Sequence, residues 1–314
     1  MHSLEPELRT LHTAGLIDDA TAARALARAR GEVFSLHAEL RLVLYAGVLL
    51  VMAGVGIILA RNLDRIGPLA VAAAMALAAI GCSVPALRAK AAGRNLTVAS
   101  DYLLLLAALL LSADLAYVER QFVLLGPAWS WHLLLLAVIH AAIAYTFAST
   151  LVLAASLAAL AGWFGVGSFG DVLGASRSGM ELGVRALACA ALILAWRHAD
   201  RRVRPDTRFG GVFDHFVANL AFWGAIAWCA DGLWALAGLP LLAVLAFASA
   251  RRGLDTGREA FIVYGTVYTA LGVCVAALPR VHGEAASLSF LLLVVCVASA
   301  ALWKLRQRLK EPRQ

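Results

Sequence analysis

From residue 41 to residue 303 the chain is built of ten apolar stretches, each 17–21 residues long. They are 41–60, 68–87, 98–117, 131–147, 149–169, 179–197, 212–230, 232–249, 260–278 and 285–303. A helix rising 1.5 Å per residue needs about 20 apolar residues to cross the hydrocarbon core of a bilayer. With 62% of residues hydrophobic and 15% charged, the chain is more apolar than a soluble domain, where about half are apolar and a quarter charged. One globular core cannot hide that excess, and lipid can. The pattern predicts an all-α polytopic transmembrane helix bundle of about ten spans. The short connections in 131–169 and 212–249 read as tight helical hairpins.

The charges test that count. With the N-terminus in the cytoplasm, alternate connections hold 21 of the 27 lysines and arginines, the other side holds five, and Arg185 falls inside a span. Short cytoplasmic connections collect Lys and Arg, so both termini are expected in the cytoplasm. The net charge of +7 is thereby read as a topology signal rather than a nucleic-acid footprint.

Three regions follow: a cytoplasmic helical module over residues 1–39, a transmembrane domain over 40–303, and a basic cytoplasmic tail over 304–314. In the module, Ser3 caps a first helix with Leu4, Leu8 and Leu11 on one face, and Gly15 stops it. A second helix starts near Asp18 or Asp19 and ends at Gly31, with Leu16, Ile17, Ala20, Ala23 and Leu26 as its stripe. Helices this short bury little surface alone. The stripe therefore needs a neighbouring helix, another subunit, a protein partner or the membrane. Arg24, Arg28 and Arg30 suit a solvated face beside anionic lipid. The first apolar run starts after about forty polar residues, too late for a cleavable signal peptide.

Motifs of soluble chemistry are missing or misplaced. There is no Walker A, HExxH or GxSxG sequence. Gly165, Gly167 and Gly170 form a GxGxxG, but it follows an apolar helix, whereas dinucleotide binding needs strand, turn and helix. The five cysteines, Cys82, Cys189, Cys229, Cys274 and Cys296, all lie in apolar runs without metal-ligand spacing. His132 and His140 are eight apart, about 80° round a helix, which is poor geometry for a shared metal. Neither metal nor cofactor is expected. Small residues recur in the first span at Ala46, Ala53 and Ala60 beside Gly47, Gly54 and Gly56, and Gly179 with Gly183 makes a GxxxG. Such faces let helix backbones approach closely in lipid.

Polar groups within the spans carry more information, because a charge at the centre of a span costs on the order of 3 kcal/mol. Asp114 sits near the outer end of the third span. Glu181 and Arg185 share a face of the sixth at a spacing of four. These three, with the deeper neutral groups His140 and Asn219, form the candidate intramembrane polar site. The competing account is a structural ion pair of Arg185 with Glu181 or Asp114, and structural hydrogen bonds for His140 and Asn219. Asp101, Asp214, His215 and Asp231 fall near span ends. Tyr264, Thr266, Tyr268 and Thr269 give the ninth span a polar flank. The first span ends in a polar box, Arg61 to Arg65, whose Asn62 and Asp64 are candidates to hold the outer loop or to contribute to an outward-facing site.

Three of these features together resemble the bacterial predicted membrane proteins of domain-of-unknown-function family 2157. Residues 11–17, Leu-His-Thr-Ala-Gly-Leu-Ile, match that family's Leu-x-x-x-Gly-(Leu/Ile)-Ile opening. The Gly-rich first span closes on Asn62-Leu63-Asp64, where the family has Asn-Trp-Asp. Glu119-Arg120-Gln121-Phe122-Val123 occupies the place of its Gly-Gln-x-(Tyr/Phe)-His segment. The resemblance covers about the first 165 residues. It implies an inner-membrane location and carries no activity.

The leading functional expectation is a transporter or permease for a small polar or amphiphilic substrate, using Asp114, Glu181 and Arg185. The alternative is a non-catalytic scaffold or sensor that recruits a partner, or forms a homo-oligomer, through residues 1–39. A membrane enzyme acting on lipid or glycan is least supported, because no nucleophile–base constellation is visible. The expected surroundings are the lipid bilayer, with no nucleic-acid partner.

Overall fold

The computed structural model describes residues 10–19, 21–23, 25, 36–62, 67–124, 126–128, 130–165, 179–204, 208–232 and 235–310. Among these residues there is no strand. The helices are α1 (Leu36–Asn62), α2 (Pro68–Ala91), α3 (Val98–Phe122), α4 (Trp131–Phe147), α5 (Thr150–Trp163), α6 (Gly179–Val203), α7 (Gly210–Ala230), α8 (Ala235–Thr256), α9 (Glu259–Ala277) and α10 (Glu284–Lys310). Seven helices among the described residues are long and apolar enough to cross a membrane: α2, α3, α6, α7, α8, α9 extended to Arg280, and α10. Three apolar helices are shorter: Leu42–Ile58 within α1, then α4 and α5.

Local chemistry sets the helix ends. Pro68 opens α2 where its missing N–H costs nothing. Thr97 caps α3 by accepting from the Ser100 N–H, and Ser149 caps α5 by accepting from the Val152 N–H, each at 3.2 Å. Ala148 adopts a left-handed conformation (φ 54°) and returns its N–H to the Ala144 carbonyl. That single residue turns α4 into α5. Thr10 to Thr13 is helical and closes at Gly15, whose φ of +69° suits glycine. The remainder of the second N-terminal helix, the Asp64 box and residues Gly167 and Gly170 lie outside the described residues, as does the side chain of Asn62.

Helices pair as antiparallel neighbours, α2 with α3, α4 with α5, α6 with α7 and α8 with α9. α5 and α7 are the interior. Val152, Leu153, Ser156 and Leu157 of α5 are completely enclosed, and so are Phe213 and Ala225 of α7. α7 joins both apolar cores: one gathered from α2 to α7, the other shared with α8 and α9. α1 packs on α3 and α10 on α9 at the periphery. This order explains why α5 is short and apolar apart from Thr150 and Ser156: protein rather than lipid covers it.

Side-chain contacts show which connections share an end. Asp101 meets Ser149, Tyr145 meets Asp200, Arg197 and Arg252 both meet Asp214, and Glu259 meets Arg306. The α2–α3, α4–α5, α6–α7 and α8–α9 connections and the C-terminal part of α10 therefore gather at one end. Apart from the α4–α5 turn, these are the segments in which the sequence concentrates arginine and lysine, and we call this the basic end.

Candidate functional site

The basic end holds a buried charge network. Arg197 sits on the last turns of α6 with its side chain 7% exposed, and Asp214 sits on the first turns of α7. Arg197 Nε lies 2.8 Å from Asp214 Oδ1, and its Nη2 donates to Oδ2 at 3.0 Å. Arg252 of α8 donates to the same Oδ2 at 2.9 Å. One carboxylate thus bridges two arginines and locks three helices. The Nη2 bond to Asp214 is both charge-assisted and directional.

One turn further on, Asp200, itself buried, accepts a hydrogen bond from the Tyr145 hydroxyl at 2.9 Å. The Trp196 indole N–H donates to the same hydroxyl at 3.1 Å. The Tyr145 ring is therefore fixed, with Phe209 edge-on at 5.0 Å and the Arg204 guanidinium over it at 5.0 Å. On the neighbouring helices the Ser149 hydroxyl donates to Asp101 at 2.5 Å.

Of these groups, Asp101, Tyr145, Arg204 and Phe209 line a cavity of about 500 Å³. Asn95, Thr97 and Asp101 come from the start of α3 and the connection before it, Tyr145 and Thr150 from the α4–α5 hairpin, and Arg204 and Arg208 from the α6–α7 connection. A second cleft of about 530 Å³ lies between α8, α9 and α10 and is apolar apart from Thr266 and Thr269. The first cavity offers polar recognition chemistry. The second offers only a surface for hydrocarbon.

The described candidates from the sequence do not come together in one site. Arg185 donates to Glu181 at 2.5 Å, and both side chains are nearly half exposed. His140, deeply buried on α4, lies 3.1 Å from the Ala108 carbonyl and 3.3 Å from the Ser112 hydroxyl, so it binds α4 to α3. Asp114 Oδ1 is buried without a hydrogen-bond partner among the described residues. Asn219 donates to the His215 carbonyl and accepts from the Tyr268 hydroxyl, within an aromatic stack that includes Phe222, Trp223 and Tyr264. Among the described residues there is no group of three or more His, Cys, Asp or Glu side chains placed to hold a metal ion.

At the opposite end Glu119 takes the Gly126 N–H at 2.9 Å and His132 Nε2 at 3.0 Å, closing the loop between α3 and α4. The Gly179–Gly183 pair faces α7. A Cβ on Gly179 would stand 2.4 Å from the Ala227 carbonyl oxygen, and one on Gly183 would stand 2.3 Å from Trp228. Gly47, Gly54 and Gly56 of α1 have open space where a Cβ would stand.

Sequence reasoning placed Asp101 and Asp214 at span ends but did not connect them to partners. The available signal was numerical: Asp214 is flanked by the two arginine-rich connections, 197–208 and 251–258. Trp196 reads in the sequence as an interfacial anchor at a span end, and nothing there connects it to Tyr145 and Asp200, since their meeting depends on how α4 lies against α6.

Residues 9–153 match the model of a family described as predicted membrane protein, DUF2157. No curated protein and no solved structure matches the chain.

Proposed function

We propose that this is a bacterial inner-membrane protein of about ten spans with both termini in the cytoplasm, acting as a permease for a small polar or amphiphilic substrate. On this reading α1, α4 and α5 also cross the bilayer, the last two as a hairpin enclosed by their neighbours. The supporting observation is the polar cavity at the basic end, walled by side chains already held in place by Asp200, Trp196 and Ser149. Substrate loads there from the cytoplasmic face. Asp114, Glu181 and Arg185 belong to the outward half of the path, with Asn62 and Asp64 at its outer rim.

The test is accumulation in inverted membrane vesicles offered an extract of small metabolites. Vesicles containing the protein should enrich at least one polar solute over vesicles lacking it. Equal contents would overturn the permease reading.

One observation favours the scaffold alternative. In the 1–39 module, Leu11 and Leu16 are exposed, Leu16 by 71%, which leaves apolar surface for a protein partner or a second copy. Deleting residues 1–39 should then remove function while the spans still insert, and a truncated protein that works like the full chain would exclude it.

A further inference from the structure

We propose that the basic-end cavity binds an oxyanion of the phosphate class, either a free phosphate-bearing solute or the headgroup of an anionic phospholipid. This rests on reading the cavity as the substrate-loading site and names the chemistry recognised there.

Among the described residues, two arginines, Arg204 and Arg208, and the carboxylate of Asp101 line the cavity. The carboxylate is already engaged by the Ser149 hydroxyl. Arg204 is held in place before any ligand arrives. Its guanidinium stacks on Tyr145, and Tyr145 is fixed by Asp200 and Trp196. A stacked guanidinium keeps its N–H edge available, and that planar fork matches phosphate oxygens better than a lysine ammonium does. Ordering cost is therefore low, which favours affinity.

The backbone adds to the same field. α3, α5 and α7 all begin at this cavity, with Val98, Thr150 and Phe209 in its wall. Helix N-termini carry partial positive charge and unsatisfied N–H donors. Thr97 and Ser149 each satisfy one donor and leave the others of the first turn to water or a ligand. Asn95 and Thr97 also line an adjoining groove with Arg88 and Arg94. Lys90 lies over Phe147, another wall residue, at 5.3 Å. Cations thus continue from the cavity along the surface, where a phospholipid headgroup or a soluble phosphate ester would approach.

The experiment uses the purified full chain and two probes. Inorganic phosphate is titrated in detergent while Tm is followed, with chloride at matched ionic strength as control. Separately, retention of phosphatidylglycerol over phosphatidylcholine is measured by native mass spectrometry. The variants are Arg204→Gln with Arg208→Gln, and Arg208→Gln alone in case the double variant does not fold. We expect a phosphate-dependent rise in Tm whose midpoint weakens about tenfold or more in the double variant, or phosphatidylglycerol retention lost in that variant. The first outcome assigns the site to a free phosphate, the second to a headgroup. Phosphate and lipid responses that ignore both arginines overturn the proposal, as does a response to chloride equal to that to phosphate. The two readings fail separately. Accumulation that persists without Arg204 and Arg208 removes this inference and leaves the permease reading. Arginine-dependent binding without accumulation removes the permease reading and leaves this one.

Discussion

The two ends of the bundle are held together by different means. At the basic end, long polar side chains reach across helices: Asp214 takes arginines from α6 and α8, and Tyr145 of α4 joins Asp200 and Trp196 of α6. At the opposite end, Glu119 of α3 bonds His132 of α4, but α6 and α7 close tightly over Gly179 and Gly183, with the Trp228 indole N–H on the Met180 carbonyl, and the Glu181–Arg185 pair lies along one helix. Long side chains hold helices apart and leave polar space between them. Glycines bring helices into contact and leave none. The difference explains why the polar cavity sits where it does, and it makes the basic end the place to look for ligand chemistry.

The comparison can be broken most sharply at Asp214. Asp214→Ala leaves Arg197 buried without its carboxylate, and losing one partner of a buried pair costs about 3–5 kcal/mol. A marked fall in Tm and in folded yield from detergent extracts is expected. An unchanged Tm would show that the network does not hold the basic end. Next comes Gly183→Val, which forces a branched side chain into Trp228. Overpacking of this kind costs about 1–3 kcal/mol. Its signature is a weakened α6–α7 contact, measured as slower crosslinking between cysteines introduced on the two helices, and normal crosslinking would argue that the glycines are not the fastening. A smaller loss, about 1 kcal/mol, is expected for Ser149→Ala, which removes the cap of α5. It also removes the hydroxyl that donates to Asp101, so the phosphate midpoint should weaken in the same titration. The smallest effect belongs to Glu181→Gln. An exposed pair of this type is worth about 0–1 kcal/mol, so Tm should hardly move. A large drop would place the strength of the opposite end in that pair rather than in the glycines.

Much of the architecture was legible in the residues. The helical content, the tight turn after Phe147 and the packing role of Gly179 and Gly183 all follow from local rules: apolar length, a capping serine and the space a missing Cβ leaves. The equivalent argument for α1 gives a different outcome, since Gly47, Gly54 and Gly56 face open space. A small-residue stripe states that close approach is possible and does not state with which neighbour. The polar candidates divide in the same way. Arg185 and Glu181 are four apart, so helix geometry alone brings them together. His140 and Asn219 are separated from their partners on other helices by 28 residues to Ser112 and 49 to Tyr268. No local rule reaches that far.

What the sequence by itself determined is the solvent of this protein and which of its connections carry the basic residues. Both depend on sums over short segments, the apolar length of a run and the charge of a connection, and such sums survive any arrangement of the helices. What only the tertiary structure decided is which helices lie inside, which charges meet, and where a polar cavity remains. Those depend on crossing positions between helices distant in the chain. The cavity bounded by Asp101, Tyr145, Arg204 and Arg208 exists because α3, α5 and α7 start, and α4 and α6 finish, at one common level.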